Sequence, residues 1–222
     1  MMAKFMTQPG ERAMTEAIAT IEQASSAEVV IVVRPHAHIW LVPATGLGIA
    51  GAAAALAYAL FGEPEFTLWT IFWMPAIAGT ALALLALLPP VYRLLLPDRI
   101  RDEHVVQAGR AAFLERTVHA TQGRTGMLVY VSLLERRLLL VGDLEVERTL
   151  GDVVLDRWER ELSDLIAKGA KPVGDALAAH AGEIGRALPH QADDKDELAN
   201  AVITFAPRGL HRLRAAADRG KA

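Results

Sequence analysis

Two long uncharged segments in the first half of the chain constrain the fold more than any other feature. Residues 39–61 contain no charged side chain over 23 positions, and residues 67–88 contain none over 22. Because a hydrocarbon core about 30 Å thick is crossed by roughly 20 apolar helical residues, each segment is long enough to span a bilayer. The alternative is a pair of buried helices in a large soluble core, but soluble helices seldom lack charge on every face. The sequence therefore predicts a transmembrane helical hairpin over residues 39–92.

The composition of the two segments favours close contact between them. A short turn over residues 61–67 joins them, so they are expected to run antiparallel. Small residues at four-residue spacing allow another helix backbone to approach closely, whether the partner is the other half of the hairpin or a second copy of the chain. These pairs are Gly46 and Ala50, Gly48 and Ala52, and Gly51 and Ala55. The pattern predicts a tight hairpin and a homo-oligomer formed through the small-residue helix faces.

Residues at the ends of the hairpin predict its orientation in the inner (plasma) membrane. The expected membrane-interface residues, most of them aromatic, are Trp40, Trp69, Trp73, Tyr92 and Arg93. Arginines precede and follow the hairpin at positions 34, 93, 99 and 101, whereas the turn between the segments carries only glutamates, at positions 63 and 65. By the positive-inside rule, both termini and the soluble domain are expected in the cytoplasm, with the turn on the other side.

The composition of the whole chain limits the remaining classes of function. The net charge of −3 and the pI near 6.2 give no sign of a nucleic-acid partner. The absence of cysteine excludes disulfides, thiolate catalysis and thiolate metal sites. Outside the hairpin, the length suffices for one soluble domain.

Periodicity predicts that this domain is discontinuous, formed by residues 11–34 and 98–188. The apolar run 29–33 is typical of a strand buried on both faces and therefore of a central, parallel strand. The other predicted elements are helices over 11–24 and 99–120, strands over 127–133 and 137–141, and two helical stripes over 146–166 and 173–184. In this order the first two strands are parallel, the third is antiparallel to the second, and the fold class is an α/β sandwich with the membrane hairpin inserted after the first strand.

The C-terminal tail, residues 189–222, is treated as separate from the domain. Its last part, residues 207–222, has five basic residues and one acidic residue, a net charge of +4. It is expected either to lie against anionic lipid or to remain a disordered, soluble tail.

Three stretches resemble the TPM-domain family: residues 21–33, residues 125–136, and Val141 to Asp143. Pro189 and residues 196–198 are similar to the end of a bacterial subgroup of that family. The family includes thylakoid-lumen proteins of photosystem repair, to which acid phosphatase activity is ascribed, and many bacterial membrane proteins. The resemblance implies a three-layer α-β-α sandwich. In relatives a soluble loop occupies the position where this chain has the hairpin.

The candidate site lies where the third predicted strand ends. The topology places Asp143 at the same sheet edge as Glu28, where a carboxylate can cap a helix or hold a cation. In TPM relatives, acids after the third strand and early in the next helix are associated with divalent metals and with the proposed phosphatase site, and the matching positions are Asp143 and Asp152. The resemblance thus implies a Ca²⁺ or Mg²⁺ site with Asp143 and Asp152 as ligands, and the topology adds Glu28 as a third candidate ligand at the same edge. The alternative is that Asp143 caps the helix and Asp152 is a solvated charge.

Two histidines, His36 and His38, follow the first strand. They are expected to bind a metal, to sense pH at the membrane interface or, as ordinary polar residues, simply to lie at that interface. No phosphate-binding loop, nucleophile elbow or zinc-protease motif is present. The leading hypothesis is a membrane-anchored binding or assembly module for other membrane proteins. The alternatives are a metal-dependent phosphatase using Asp143 and Asp152, and a small channel component, which two spans without an ionisable residue do not favour.

Overall fold

The computed structural model describes residues 1–37, 41–121, 123–190 and 202–204. The chain divides into two compact units, one formed by Met1–Ala37 with Val105–Ala222 and the other by His38–His104. In chain order the elements are α1 (Met2–Phe5), α2 (Gln8–Ala24), β1 (Glu28–Arg34), α3 (Leu41–Phe61), α4 (Leu68–Ala86), α5 (Pro89–Leu95), α6 (Asp98–Glu115), a 3₁₀ turn (Val118–Ala120), β2 (Gly126–Ser132), β3 (Arg137–Gly142), α7 (Leu144–Leu150), α8 (Asp152–Leu165), a 3₁₀ turn (Ile166–Lys168), α9 (Ala170–Ala179), α10 (Ala181–Ala187) and β4 (Val202–Thr204).

The first unit is built on one mixed sheet with the strand order β3-β2-β1-β4. β1 is parallel to both β2 and β4, and β2 is antiparallel to β3. The predicted pairing of the first three strands is therefore confirmed, and so is the central position of β1, which is buried along almost its whole length. A strand with neighbours on both sides and helices on both faces needs apolar side chains in both directions, which explains the continuous run of valine and isoleucine.

Alternating residues of β1 point into two separate hydrophobic clusters. Val29, Ile31 and Val33 belong to the larger cluster, which also contains apolar residues of α2, α8, α9 and α10. Val30 and Val32 belong to the smaller one, with Val105 and Ala112 of α6, Leu128 and Tyr130. The sheet therefore has helices against each of its faces, as expected for an α/β domain.

Four predictions about the elements are corrected by the structure. The stripe over 146–166 is divided into α7 and α8 at Gly151, whose φ of 75° is readily adopted only by glycine. The stripe over 173–184 is divided at His180, and the helix predicted to reach residue 120 ends at Glu115. The strand β4 lies within the predicted tail, where its three residues are too few to give a clear strand pattern. Apart from 202–204, the tail beyond residue 190 lies outside the described residues.

The edge of β3 that has no neighbouring strand is covered by side chains of α8. Ser163 Oγ accepts a hydrogen bond from Leu138 N at 2.9 Å, and Glu159 Oε1 accepts one from Leu140 N at 2.7 Å. Since an unpaired strand edge is a template for aggregation, these two acceptors close β3 to pairing with another chain.

The second unit contains the antiparallel pair α3 and α4, which are long and apolar enough to cross a membrane over Pro43–Phe61 and Leu68–Ala86. Only 22% of the segment in α3 and 6% of the segment in α4 is buried, whereas the core helix of a soluble protein is mostly buried. Their apolar side chains therefore remain uncovered by the protein, as with Ile49, Phe72 and Ile77, which are 71%, 66% and 65% exposed. Such surfaces are suited to lipid contact.

Glycines allow α3 and α4 to approach closely. A Cβ placed on Gly79 would lie 2.8 Å from Gly48 O and 2.9 Å from Ala52 Cβ, and one on Gly48 would lie 3.0 Å from Ala83 Cβ. Gly46, by contrast, has no described atom within 4 Å of its Cβ position. The predicted close contact is therefore present at Gly48 and absent at Gly46.

Replacing Gly79 by leucine is expected to separate α3 from α4, because the new side chain meets the backbone of α3. Overpacking of this kind costs about 1–3 kcal/mol. Unfolding of the purified protein in mixed micelles with increasing SDS measures the effect. Gly46→Leu is the matched control, and an equal loss of stability in both variants would contradict the helix contact.

Candidate functional site

Three strand ends meet at one edge of the sheet, which we call the distal edge. Glu28 begins β1 opposite Gly126, the first residue of β2, and Met127 pairs with Gly142 at the end of β3. Asp143 N donates a hydrogen bond to Gly126 O at 2.8 Å. The predicted location of Asp143 and Glu28 at the same edge is thus confirmed.

Asp143 is a buried helix cap, with 6% of its surface exposed. Its Oδ1 accepts a hydrogen bond from Leu144 N at 2.7 Å and lies 3.5 Å from Arg124 Nε. Its Oδ2 is buried with no hydrogen-bond partner in the described part of the chain. One carboxylate oxygen is therefore bonded to a backbone amide and lies beside a guanidinium, and the hydrogen-bonding capacity of the other is not met by the described residues.

Arg124 connects the turn before β2 to the start of α7. Its φ of 54° places it in the left-handed region, which is uncommon for a residue with a side chain. Its carbonyl accepts a hydrogen bond from Glu145 N at 3.1 Å, and its guanidinium donates to His119 O at 3.4 Å. Together with the ion pair to Asp143, these contacts fix a strained residue at the distal edge.

The predicted metal ligands do not form a complete set. Asp152 is exposed at the first position of α8, separated in sequence from Asp143 by the whole of α7. Among the described residues, no group of three or more histidine, aspartate or glutamate side chains is close enough to hold a metal ion. The guanidinium of Arg124 also supplies positive charge to Asp143, where a divalent cation would have to bind. The structure thus brings Asp143 and Glu28 to one edge, and the expected Ca²⁺ or Mg²⁺ site with Asp152 stays a prediction.

A cleft of about 210 Å³ lies at the distal edge beside this cap. Its polar walls come from Ser26, Thr125 and Glu145, and its apolar wall includes Leu188 and Pro189. Hydrogen bonding to Arg148 lowers the pKa of Glu145, so this carboxylate is charged at neutral pH. The cleft offers hydroxyl groups, a negative charge and an apolar surface to a small polar group or to a side chain of another protein.

A second polar cluster, which is not predicted from the sequence, lies at the opposite edge of the sheet. Glu135 is 1% exposed, and its carboxylate accepts hydrogen bonds from Ser132 Oγ and, at 3.2 Å, from Ala37 N. The only sequence pattern associated with it is a serine three residues before a glutamate in a short reversal, which is also common on surfaces. Glu135 fixes the chain at Ala37, directly after β1.

Tyr130 and Arg34 lie at the same edge. Arg34 pairs with Glu115 at 3.3 Å, and its guanidinium carbon is 6.0 Å from the centre of the Tyr130 ring. Burial raises the pKa of Tyr130 to about 12; Glu135 and Glu115 contribute to the rise, whereas Arg34 opposes it. The phenol is therefore neutral at physiological pH. His36 is half-buried after β1, and His38 lies outside the described residues.

The predicted membrane-interface residues differ in their exposure. Trp69 and Trp73 are 71% and 49% exposed and, with Phe72, form a cluster of mutually contacting rings at the start of α4. Tyr92 is only 2% exposed, and Arg93 is half-buried. Trp40 lies outside the described residues. Exposed aromatic rings therefore occur next to the turn between α3 and α4, whereas Tyr92 is buried.

The burial of His180 predicts that the stability of the folded protein depends on pH. Its ring stacks on Trp158 with 4.5 Å between centroids, and burial lowers its pKa, with Glu161 opposing the shift. Because the unfolded chain then binds the proton more readily, the free energy of unfolding should fall as pH decreases from about 6.5 through the lowered pKa. Chemical denaturation across this range should show a flatter dependence for His180→Gln and a steeper one for Glu161→Gln. Identical slopes in all three proteins would contradict the assignment.

No protein-family model matches the chain, and no curated protein matches it in sequence. Among solved structures, the chain is similar to the NMR structure of the BA42 protein from the psychrophilic bacterium Bizionia argentinensis, with 15% sequence identity and a TM-score of 0.52. The alignment covers 90% of this chain and 96% of BA42. At this level of identity the likeness concerns the fold alone.

Proposed function

We propose that the protein is a membrane-anchored module that binds or assembles other membrane proteins. The observation that carries the proposal is the apolar surface of α3 and α4, most of which is exposed. Burying such a surface in lipid removes it from water at a gain of roughly 25 cal/mol per Å². The domain is thereby held at a membrane, where its partners are expected to be other membrane proteins.

The proposed location is the inner (plasma) membrane, with two passes and with the termini and the soluble domain in the cytoplasm. The four arginines that flank the hairpin, against two glutamates in the turn, support this orientation. Single cysteines introduced at Glu63 and at Val153 test it, since the chain has none of its own. In intact cells an impermeant maleimide should label position 63 alone, and position 153 should react only after permeabilisation. Labelling of position 153 from outside would reverse the orientation.

We also propose that the soluble domain is a three-layer TPM-like sandwich. Hydrophobic clusters on both sides of the sheet support three layers, and the likeness to BA42 supports the α/β fold. Membership of the TPM family rests on the resemblance of the three sequence stretches described above.

The distal cleft is the proposed contact point for a partner. It combines hydroxyl groups with an apolar wall, a mixture typical of protein-binding surfaces, and its acid Glu145 is charged and half-buried. A photo-crosslinking amino acid at Glu145 should give discrete adducts with membrane proteins in cells. The same group at the exposed Asp156 on α8 is the control. Equal adduct patterns from both positions would argue against a specific contact at the cleft.

The phosphatase alternative has one observation in its favour, the buried and unpartnered Oδ2 of Asp143. Phosphoryl transfer needs positive charge at the site, which a metal held by Asp143 would supply. Thermal unfolding with and without Ca²⁺ or Mg²⁺ separates the two functions, because a bound ligand stabilises the native state. We expect no shift, since Arg124 already neutralises Asp143. A rise in unfolding temperature that is lost in Asp143→Asn, but kept in the control Asp156→Asn, would favour the phosphatase.

A further inference from the structure

The short helix α5 has a surface that the rest of its unit leaves uncovered. Leu94 is 86% exposed and Leu95 is 42% exposed, whereas Tyr92 and Leu96 are buried. The residues just before the helix, Leu87 and Leu88, are also exposed. Four exposed leucines lie within nine positions that contain a single charged residue, Arg93, which is unusual for a segment in contact with water.

The sequence explains why α5 is separate from α4. Pro89 and Pro90 occupy the first positions of α5, and Leu88, directly before them, has the extended backbone that a following proline imposes. α4 is 19 residues long, about 28 Å at 1.5 Å per residue, and thus spans a hydrocarbon core without α5. α5 therefore begins where a membrane span of this length ends.

We propose that α5 is an interfacial helix whose leucines enter the lipid leaflet at the end of the second span. The inference rests on the proposed membrane location of α3 and α4. The exposed leucines continue the uncovered apolar surface of α4, so the occupant that fits them is the same bilayer rather than a separate partner.

Charge does not provide the attraction between α5 and the lipid leaflet in this proposal. Residues 93–103 contain three arginines and three acids, a net charge of zero. Two of these arginines pair with acids of the same helix, Arg99 with Glu103 at 3.3 Å and Arg101 with Asp98. Because the segment is neutral, its insertion should depend on apolar contact and should not require anionic lipid.

Spin labels at introduced cysteines test the location of α5, since the full chain has no cysteine. Labels at Leu94→Cys and at Leu95→Cys are compared, in vesicles of phosphatidylcholine, with two references. Ile77→Cys on α4 reports the inserted span, and Val153→Cys, an exposed apolar position on α8, reports water. The readout is the collision rate with oxygen, which prefers lipid, relative to a nickel chelate, which prefers water.

The expected oxygen preference at positions 94 and 95 is intermediate between those at 77 and 153. Values equal to that at 153, with position 77 in lipid, would overturn the interfacial helix while leaving the membrane anchor intact. Values equal to that at 77 would also overturn it, because α5 would then extend the span. A water-like value at 77 would instead reject the proposed membrane function. Adding phosphatidylglycerol should leave the values at 94 and 95 unchanged, and insertion only in its presence would overturn the apolar basis of the proposal.

Discussion

Gly174→Ala is expected to destabilise the soluble unit by about 2 kcal/mol, although alanine is the better helix former. Gly174 lies in α9, where a Cβ would be 2.6 Å from Ala13 C and 2.8 Å from both Ala13 O and Met14 N. All three atoms belong to the backbone of α2, which cannot yield as a side chain can. Overpacking costs up to about 3 kcal/mol, and the gain in helix propensity returns about 1 kcal/mol.

Thermal unfolding of the detergent-solubilised protein, followed by far-UV circular dichroism, measures this loss. Gly182→Ala is the control, because Gly182 is also helical and exposed and has no described atom within 4 Å of its Cβ position. That variant should be neutral or more stable by up to about 1 kcal/mol. Equal behaviour of the two variants would mean that α2 and α9 do not make the close contact described.

Glu135→Ala is expected to cost about 3 kcal/mol, the largest effect of any substitution discussed. The carboxylate is buried, and its removal leaves the Ser132 hydroxyl and the Ala37 amide without their acceptor. An unsatisfied buried donor costs about 1–3 kcal/mol, so two of them account for the loss. Glu135→Gln keeps an acceptor of the same size and should lose only about 1 kcal/mol.

Urea denaturation of the two variants and of Glu115→Gln provides the comparison. Glu115 pairs with Arg34 at the same sheet edge, but both side chains are partly exposed, and such pairs contribute about 0–1 kcal/mol. If Glu135→Ala were no more destabilising than Glu115→Gln, the buried acid would not hold Ala37 in place.

Most of the sheet follows from local sequence because its central strands are buried. The run 29–33 and the pair around the reversal at Glu135 and Arg136 contain apolar residues on both faces, so strand type and direction are specified without tertiary information. The strand β4 is not specified in this way, since its three residues are identified as a strand only by their pairing with Ile31 to Val33. The break at Gly151 depends on a left-handed backbone that one glycine in a helical pattern does not by itself predict.

The candidate site was predictable in position but not in chemistry. The end of a strand followed by an aspartate places Asp143 at the distal edge, and the cap it forms is present. The contact with Arg124 depends on a turn in which an arginine adopts positive φ, which no sequence rule favours. The role of Glu135 is not predictable for a related reason, because the segment at Ala37 that it binds meets it only in the folded chain.

The insertion of the hairpin between β1 and β2 determines the order of events during synthesis. β1 pairs in parallel with β2, and Glu28 and Gly126 are 98 positions apart (126 − 28). At about 5–20 residues per second, roughly 5–20 s pass between translation of these partners. The apolar segments of the hairpin emerge from the ribosome during this interval, while β1 still lacks its neighbour. If the hairpin enters a membrane as proposed, its delivery therefore precedes completion of the sheet, and the run of valines and isoleucine in β1 must be protected from aggregation until β2 arrives.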